Sequence, residues 1–210
     1  IMNDLMSLGM HRLWKKRFVE TVDLKENEII LDVGSGSGDI ASEILKENLP
    51  TSLYLLDLNE EMLLEGRKRL KKEKNIKYFI GNAEKLNFEN NFFDKYTISF
   101  CLRNVTEYLL SIKEAYRVLK PGGKYCCLEF STPKSSLVSS SYKIYKSKIL
   151  PLLGEIVAKD KNAYKYLSES IDLFPSQEEL SKNLRDCGFT KIETINLFNG
   201  IVAIHTGYKL

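Results

Sequence analysis

The segment Asp32-Val33-Gly34-Ser35-Gly36-Ser37-Gly38 sets three glycines on alternate positions, with an acid two residues ahead of the first. Glycines so spaced let the backbone approach a ligand closely, and a helix beginning there offers free N–H groups to a polar or anionic group. The dinucleotide fingerprint G-x-G-x-x-G needs a third glycine at position 39, where Asp39 stands instead. The pattern fits a ligand with a cationic amino acid part: Asp32 meets its ammonium, and backbone groups of the loop at Gly34 and Gly36 take its carboxylate. Taken alone, the loop has a plain tight turn as its lesser alternative. Asp57 adds to it, because an acid about 20 residues past such a loop, at the end of the next strand, accepts hydrogen bonds from ribose hydroxyls. Asn59 is the better cap for the helix that follows. A third apolar run ends at Gly81-Asn82-Ala83, so the Asn82 side chain and the Ala83 N–H are candidates for reading the edges of adenine.

A second group of residues suits chemistry beside such a ligand. Arg103 and Asn104 follow a fourth apolar run, at the sheet edge where ligands sit. A guanidinium keeps its proton in proteins because its pKa lies above about 12, so Arg103 suits holding an anion better than abstracting a proton. The plain alternative is a salt bridge to a neighbouring acid. Asn104 supports Arg103 or a substrate oxygen. Glu129 ends a fifth run and could pair Arg103 or act as a base. His205 would suit proton transfer at neutral pH, although a lone histidine on a strand is more often structural. Tyr142 and Tyr145 lie one helical turn apart and read as pocket wall.

These residues must be carried on alternating strands and helices. Ile29–Val33, 52–58, Ile76–Ile80, 95–100 and 124–130 read as strands, and 39–47, 60–72 and 109–119 as helices, the last stopped by Pro121-Gly122-Gly123. Apolar strands with helices between them imply a parallel sheet covered on both faces. A helix over 177–187 ends at Gly188, and Asn199-Gly200 between two extended runs predicts a hairpin, so the sheet closes on an antiparallel edge strand. Residues 131–175 form an insertion too long for a plain connection. The 210 residues are 43% hydrophobic and 28% charged, which describes one globular domain. The net charge of +3 argues against a nucleic-acid binder. No apolar run nears the ~18 residues of a membrane span. Four cysteines with no C-x-x-C pair and only two histidines make a zinc site improbable and suggest reduced thiols, so no metal is expected. The basic run 67–77 reads as a solvated face, with anionic lipid as the alternative. Met2, Leu5, Met6, Leu8, Leu13 and Trp14 form an apolar segment that packs on the core or lines a substrate mouth. Ile1 rather than Met opens the chain, which is therefore read as trimmed.

LDVGSGSGD, DLNEEML, GNAEKLNF, FFDKYTISFCLRNVT, EAYRVLKPGGKYCCLEFS, ESIDLFP and GIVAIHTGYK resemble the ubiquinone/menaquinone biosynthesis C-methyltransferases over nearly the whole chain. The resemblance implies a Rossmann-like class I methyltransferase: an α/β fold with a mixed seven-stranded sheet, a C-terminal antiparallel hairpin strand, and residues 131–175 as a substrate lid in a single domain 1–210. It implies S-adenosyl-L-methionine as cofactor, held by Ser37, Asp57, Asn82, Ala83 and Ser99, and a methyl transferred to a ring carbon of a polyprenylated benzoquinol or, alternatively, a demethylmenaquinol. Arg103 becomes a catalytic residue, and Cys101 stands where the family usually has Gly. Other quinone-biosynthesis proteins, a peripheral membrane contact and a homodimer are partners compatible with it; nucleic acid is not. It implies the matrix side of the mitochondrial inner membrane for a eukaryotic source, and the cytoplasm or inner-membrane surface for a bacterial one. Two other readings stay beside it. A nicotinamide-dependent oxidoreductase is disfavoured by Asp39 and the hairpin, and a catalytically silent cofactor-binding scaffold by the Arg103-Asn104 pair.

Overall fold

The structure, a computed structural model, describes residues 9–49, 51–133 and 161–210. The chain runs α1 (Met10–Val22), β1 (Ile29–Val33), α2 (Asp39–Leu45), β2 (Ser52–Asp57), α3 (Glu60–Arg69), β3 (Ile76–Ile80), β4 (Phe93–Ser99), a 3-10 turn (Leu102–Asn104), α4 (Tyr108–Val118), β5 (Leu119–Phe130), α5 (Lys161–Leu173), α6 (Gln177–Asp186), β6 (Thr190–Leu197), a second 3-10 turn (Phe198–Gly200) and β7 (Val202–Tyr208). The strands form one seven-stranded sheet in the order β3-β2-β1-β4-β5-β7-β6.

Alternation along each strand feeds two cores. On one face Ile30, Leu53, Leu55, Cys126 and Leu128 pack with Trp14 and Phe18 of α1, Ile40 and Ile44 of α2, and Leu63 of α3. On the other, Leu31, Val33, Leu56, Ile98 and Tyr125 pack with Ile112 and Ala115 of α4 and Leu180 and Leu184 of α6. Helices on both faces are what strands apolar on both sides require. Asn59 caps α3 by accepting from the Met62 N–H at 3.2 Å, as its position predicts. Ser176 caps α6 in the same way.

Two sequence expectations are corrected. The antiparallel strand is β7, the last in sequence, but it is not the edge: it inserts between β5 and β6, and β6 is the outer strand. A short hairpin only makes β6 and β7 neighbours; which of them meets β5 is decided by burial, since β7 is buried along nearly its whole length and β6 alternates. Pro121-Gly122-Gly123 does not stop the helix. α4 ends at Val118, Leu119 already pairs with Phe93, and the Pro-Gly-Gly segment forms an irregularity within β5, where Gly122 adopts φ 82° and its N–H donates to Lys209 O.

α1 buries Trp14, Phe18, Val19 and Val22 and leaves Leu13 exposed, so this part of the N-terminal segment packs on the core. Met2, Leu5, Met6 and Leu8 lie outside the described residues. In the basic run, Arg67 stacks on Tyr78, Lys68 pairs with Glu65 and Lys77 donates to the Tyr54 hydroxyl, which is the pattern of a solvated face. Among the described residues no helix is long and apolar enough to cross a membrane, and no cluster of His, Cys, Asp or Glu could hold a metal ion.

Candidate active site

Strand order reverses at β1, which lies between β2 and β4. Ligands of open α/β sheets bind in the crevice outside the carboxyl ends of the strands at such a point. A cleft of about 370 Å³ opens there. Gly34, Asp57, Asn82, Ala83, Cys101 and Asn104 all face it, together with Phe100 and Glu84. Four of the predicted cofactor positions thus meet in one cavity, with Asn104 from the second group on its wall.

The glycine loop is left-handed at Gly34, Gly36 and Gly38, with φ of 64°, 54° and 79°. A side chain at Gly34 would also collide: an ideal Cβ there lies 2.2 Å from Cys101 Sγ. Asp39, in the place of a third glycine, starts α2 and forms ion pairs with Lys15 of α1 and Arg69 of α3. Burial pushes its carboxyl up, but the bonds from these two cations prevail and hold it down at about 2. The residue that departs from the dinucleotide pattern therefore anchors the loop's helix to both neighbours.

Asp57 already accepts two backbone N–H groups, one from Gly36 at 2.7 Å and one from Asn59 at 2.8 Å. A carboxylate has about four lone-pair sites, so capacity for two hydroxyl donors remains. The acid fixes the glycine loop and faces the cleft at once. Asn82 is exposed, and its Oδ1 accepts from the Glu84 N–H; Glu84 in turn accepts from the Glu107 N–H, tying the loop after β3 to the start of α4.

Asp32 lies beneath this floor, 1% exposed. Its Oδ1 accepts from the Thr97 hydroxyl at 2.8 Å, while its Oδ2 is buried with no partner. Burial pushes its carboxyl up to about 7; the Thr97 hydroxyl pulls down, and Asp57 and Asp39 add to the rise. A buried carboxylate oxygen without a donor costs free energy that a cationic ligand would recover. This orphaned oxygen under a glycine loop fits the ammonium of an amino acid moiety. Thr97 itself gives no sequence signal: it is singled out only by the register that sets it opposite Asp32 on β4.

Arg103 sits in the 3-10 turn between two cleft-facing residues, Cys101 and Asn104. Its Nη1 donates to Glu129 Oε1 at 2.7 Å and to Phe100 O at 2.6 Å, its guanidinium lies 5.2 Å from the Phe130 ring, and its Nε is buried without a partner. Of the two roles open to Glu129 in the sequence, the structure displays the pairing. Burial raises the Glu129 carboxyl and the Arg103 charge pulls it back. Three N–H donors converge on it, from Arg103 Nη1, Arg103 N and Phe130 N, which fits the ionised form. Burial pushes Cys101 up to about 12, so its thiol stays protonated beside the cleft. Asn104 Oδ1 accepts from the Tyr166 hydroxyl of α5 at 3.3 Å, which brings the end of the 131–175 insertion to the site. Tyr142 and Tyr145 lie outside the described residues.

Several predicted residues are not brought to the cleft. Ser37 and Ser99 are half-buried beside it and do not line it, and Gly36 touches it only through its bond to Asp57. His205 is corrected more strongly. It lies mid-strand on β7, between Cys127 of β5 and Thr194 of β6, 3% exposed. Burial drives its pKa down to about 4. The ring is buried near Gln177 at the start of α6, and His205 does not line the cleft.

A model of the ubiE/COQ5 methyltransferase family matches residues 1–209. The chain belongs to that family. It is a methyltransferase, and its cofactor is S-adenosylmethionine. The methyltransferase is 50% identical to the ubiquinone/menaquinone biosynthesis C-methyltransferase UbiE of Rickettsia bellii, over all of this chain and 87% of that protein. It is 48% identical to the protein of the same name from Rickettsia prowazekii, with the same coverage. These relatives are bacterial, and the mitochondrial placement has no support in them. Among solved structures, a SAM-dependent methyltransferase from Aquifex aeolicus superposes with a TM-score of 0.71 over all of this chain and 97% of that one, at 18% identity. The CurJ carbon methyltransferase gives 0.72 at 16% identity, over 99% of this chain and 58% of that one. Both show the fold. The oxidoreductase reading is set aside by the family.

Proposed function

We propose that this methyltransferase methylates a ring carbon of a polyprenylated benzoquinol of the 2-methoxy-6-polyprenyl-1,4-benzoquinol type. A demethylmenaquinol is the second substrate class, favoured because the Rickettsia relatives are named for both ubiquinone and menaquinone biosynthesis. The observation that carries the reading is the Leu102–Asn104 turn, which sets Asn104 in the cleft wall and carries, one residue earlier, a guanidinium that does not itself line the cleft and whose Nε is buried without a partner.

The cofactor supplies an electrophilic methyl on its sulfonium. Asp32 holds the ammonium through its orphaned oxygen, Gly34, Gly36 and Ser37 present the loop to the carboxylate, Asp57 takes the ribose hydroxyls, and Asn82 and Ala83 read the adenine. Ser99, at the end of β4, stands beside the cleft without lining it. A ring carbon becomes nucleophilic when a neighbouring hydroxyl ionises. Arg103 lowers the pKa of that hydroxyl and holds its anion, while water takes the proton, because a guanidinium does not give up its own; the hydrogen on the methylated ring carbon then leaves to water and the oxygen is reprotonated, so one proton in all is released. Asn104 bonds a second substrate oxygen, and Tyr166 keeps Asn104 aimed. His205 takes no part. The prenyl tail stays in the bilayer, with the enzyme at the membrane surface.

The test is turnover of each quinol class with S-adenosylmethionine, the ring-methylated product identified by mass spectrometry. Arg103→Gln is expected to lower kcat by about 10²–10³-fold, as removal of an anion-stabilising donor does, and Arg103→Lys by less. Comparable turnover in wild type and Arg103→Gln would remove the role given to Arg103. Tight cofactor binding with no methylation of either quinol would leave the scaffold reading.

A further inference from the structure

We infer that Glu129 is a positioning residue for methyl transfer: it turns the Arg103 guanidinium so that its Nε edge, and not its Nη1 end, is left for the substrate oxygen. The inference rests on the role proposed above for Arg103.

Among the described residues, both hydrogen-bond acceptors of this guanidinium fall on one nitrogen. Nη1 takes both acceptors, Glu129 Oε1 and Phe100 O, and the guanidinium packs against the Phe130 ring. Nε is buried and has no acceptor. A guanidinium can fork a ligand from its Nε/Nη2 edge or from its Nη1/Nη2 end; here Nη1 is occupied twice by the protein, so the Nε/Nη2 edge is the one left. Glu129 selects between the two, because its carboxylate is itself immobilised. Phe130 N–H donates to Oε1 at 2.8 Å, and Arg103 N–H donates to Oε2 at 3.3 Å. The same carboxylate therefore holds the backbone of the 3-10 turn and the side chain that the turn carries. Glu129 is 1% exposed at the end of β5, so the clamp is built on a central strand and not on a loop.

Phe100 completes the arrangement. It is a non-glycine residue at φ 51°, a left-handed conformation that costs about 1 kcal/mol or more. Its N–H donates to Leu128 O at 2.7 Å, and its carbonyl accepts from Arg103. Its ring packs against Phe130 at 4.8 Å and against Trp14 at 6.3 Å. Strain held in place by packing from α1 and β5 aims a carbonyl at the side of the guanidinium that Glu129 already occupies. Two acceptors on one nitrogen and none on Nε is an arrangement that makes sense when the other acceptor arrives with a ligand.

The test compares Glu129→Gln, Arg103→Gln and the double variant on one quinol analogue. Glu129→Gln keeps an acceptor for the Arg103 N–H and removes the charge that fixes the guanidinium. A misplacement on the scale of 1 Å costs about 10²-fold in rate, so a loss of kcat of that order is expected, with the KM for S-adenosylmethionine within about twofold. In the double variant, Glu129→Gln is expected to add less than about twofold to the loss from Arg103→Gln, because a positioning residue has nothing to position once its client is gone. A merely structural role gives additive losses and reduced cofactor-binding stoichiometry. Should Glu129→Gln fail to accumulate, Glu129→Asp keeps the charge and draws it back by one methylene; a lowered kcat at unchanged cofactor KM is expected. Additive losses, or full kcat in Glu129→Gln or Glu129→Asp while Arg103→Gln is impaired, would overturn the inference and leave the role of Arg103 standing. Full turnover in Arg103→Gln would instead remove the reading on which it rests.

Discussion

Asp32 shows how a single residue trades stability for binding. Its carboxyl is buried, has one hydrogen bond where it could accept several, and is pushed up to about 7. Above that pH the folded chain without cofactor must hold an ionised acid away from water. Asp32→Asn keeps the shape and the bond to Thr97 but removes the charge. It is expected to raise the melting temperature of the cofactor-free protein at pH 8 and to weaken S-adenosylmethionine binding by about tenfold or more, the cost of losing a charged hydrogen bond. Thermal melts and calorimetry on the same preparation check both signs; lower stability with unchanged affinity would mean that the acid serves the fold. Such residues were legible because their type and spacing carry the chemistry: Asp32, the glycines, Asp57 and Asn82 needed no structure to be singled out. Thr97, Phe100 and Glu84 were not legible. Their contributions come from register across β1 and β4, from an unusual φ and from a bond between two loops, none of which leaves a mark on local sequence.

Elements were legible where apolar periodicity and caps agree, as for α3 behind Asn59 and α6 behind Ser176. They were misjudged where two local rules compete. Pro-Gly-Gly ordinarily ends a helix, yet here it sits inside β5, because pairing of Phe93 with Leu119 and the bond from Gly122 N to Lys209 O give that backbone partners. The cleft itself depends on one contact between elements, the loop after β1 against the turn after β4, where Gly34 meets Cys101. Gly34→Ala faces two obstacles: the left-handed φ of 64° and a Cβ 2.2 Å from Cys101 Sγ. The first costs about 1–2 kcal/mol; the second cannot be met without moving a loop. Gly34→Ala is therefore expected to lose measurable cofactor binding. Gly34→Ala with Cys101→Gly removes the steric obstacle and leaves the conformational one, so calorimetry should find binding restored to within about 5–30-fold of wild type, the factor that 1–2 kcal/mol represents. Failure of the second change to restore any binding would show that the φ requirement alone makes Gly34 indispensable.

Across the whole molecule, two buried groups of opposite sign shape the response to pH. His205 is held at about 4 by burial against an ordinary 6.5. The unfolded chain takes up a proton in this interval that the folded chain refuses, so this contribution to stability is full above 6.5 and is lost as pH falls toward 4. Asp32 is held at about 7 against an ordinary 3.8. The folded chain keeps a proton that the unfolded chain releases, so its contribution is full below 3.8 and is lost as pH rises through 7. Between pH 4 and 6.5 the two slopes oppose, and Glu129, raised by burial, adds to the side of Asp32. Each can be taken away separately. His205→Gln removes the favourable slope, so its unfolding free energy should fall relative to wild type by progressively more as pH rises through this window, with a difference in slope of about 1 kcal/mol per pH unit. Saturation with S-adenosylhomocysteine, which brings the same ammonium to Asp32 without a reactive methyl, should do the reverse, lowering the pKa of Asp32 and making stability rise with pH. Urea unfolding at several pH values between 4 and 7 measures both. Parallel profiles for wild type and His205→Gln would mean that the histidine titrates normally in the folded chain. A cofactor-bound profile parallel to the free one would mean that the ammonium does not reach Asp32, and the cofactor would then have to be held by the loop backbone and Asp57 alone.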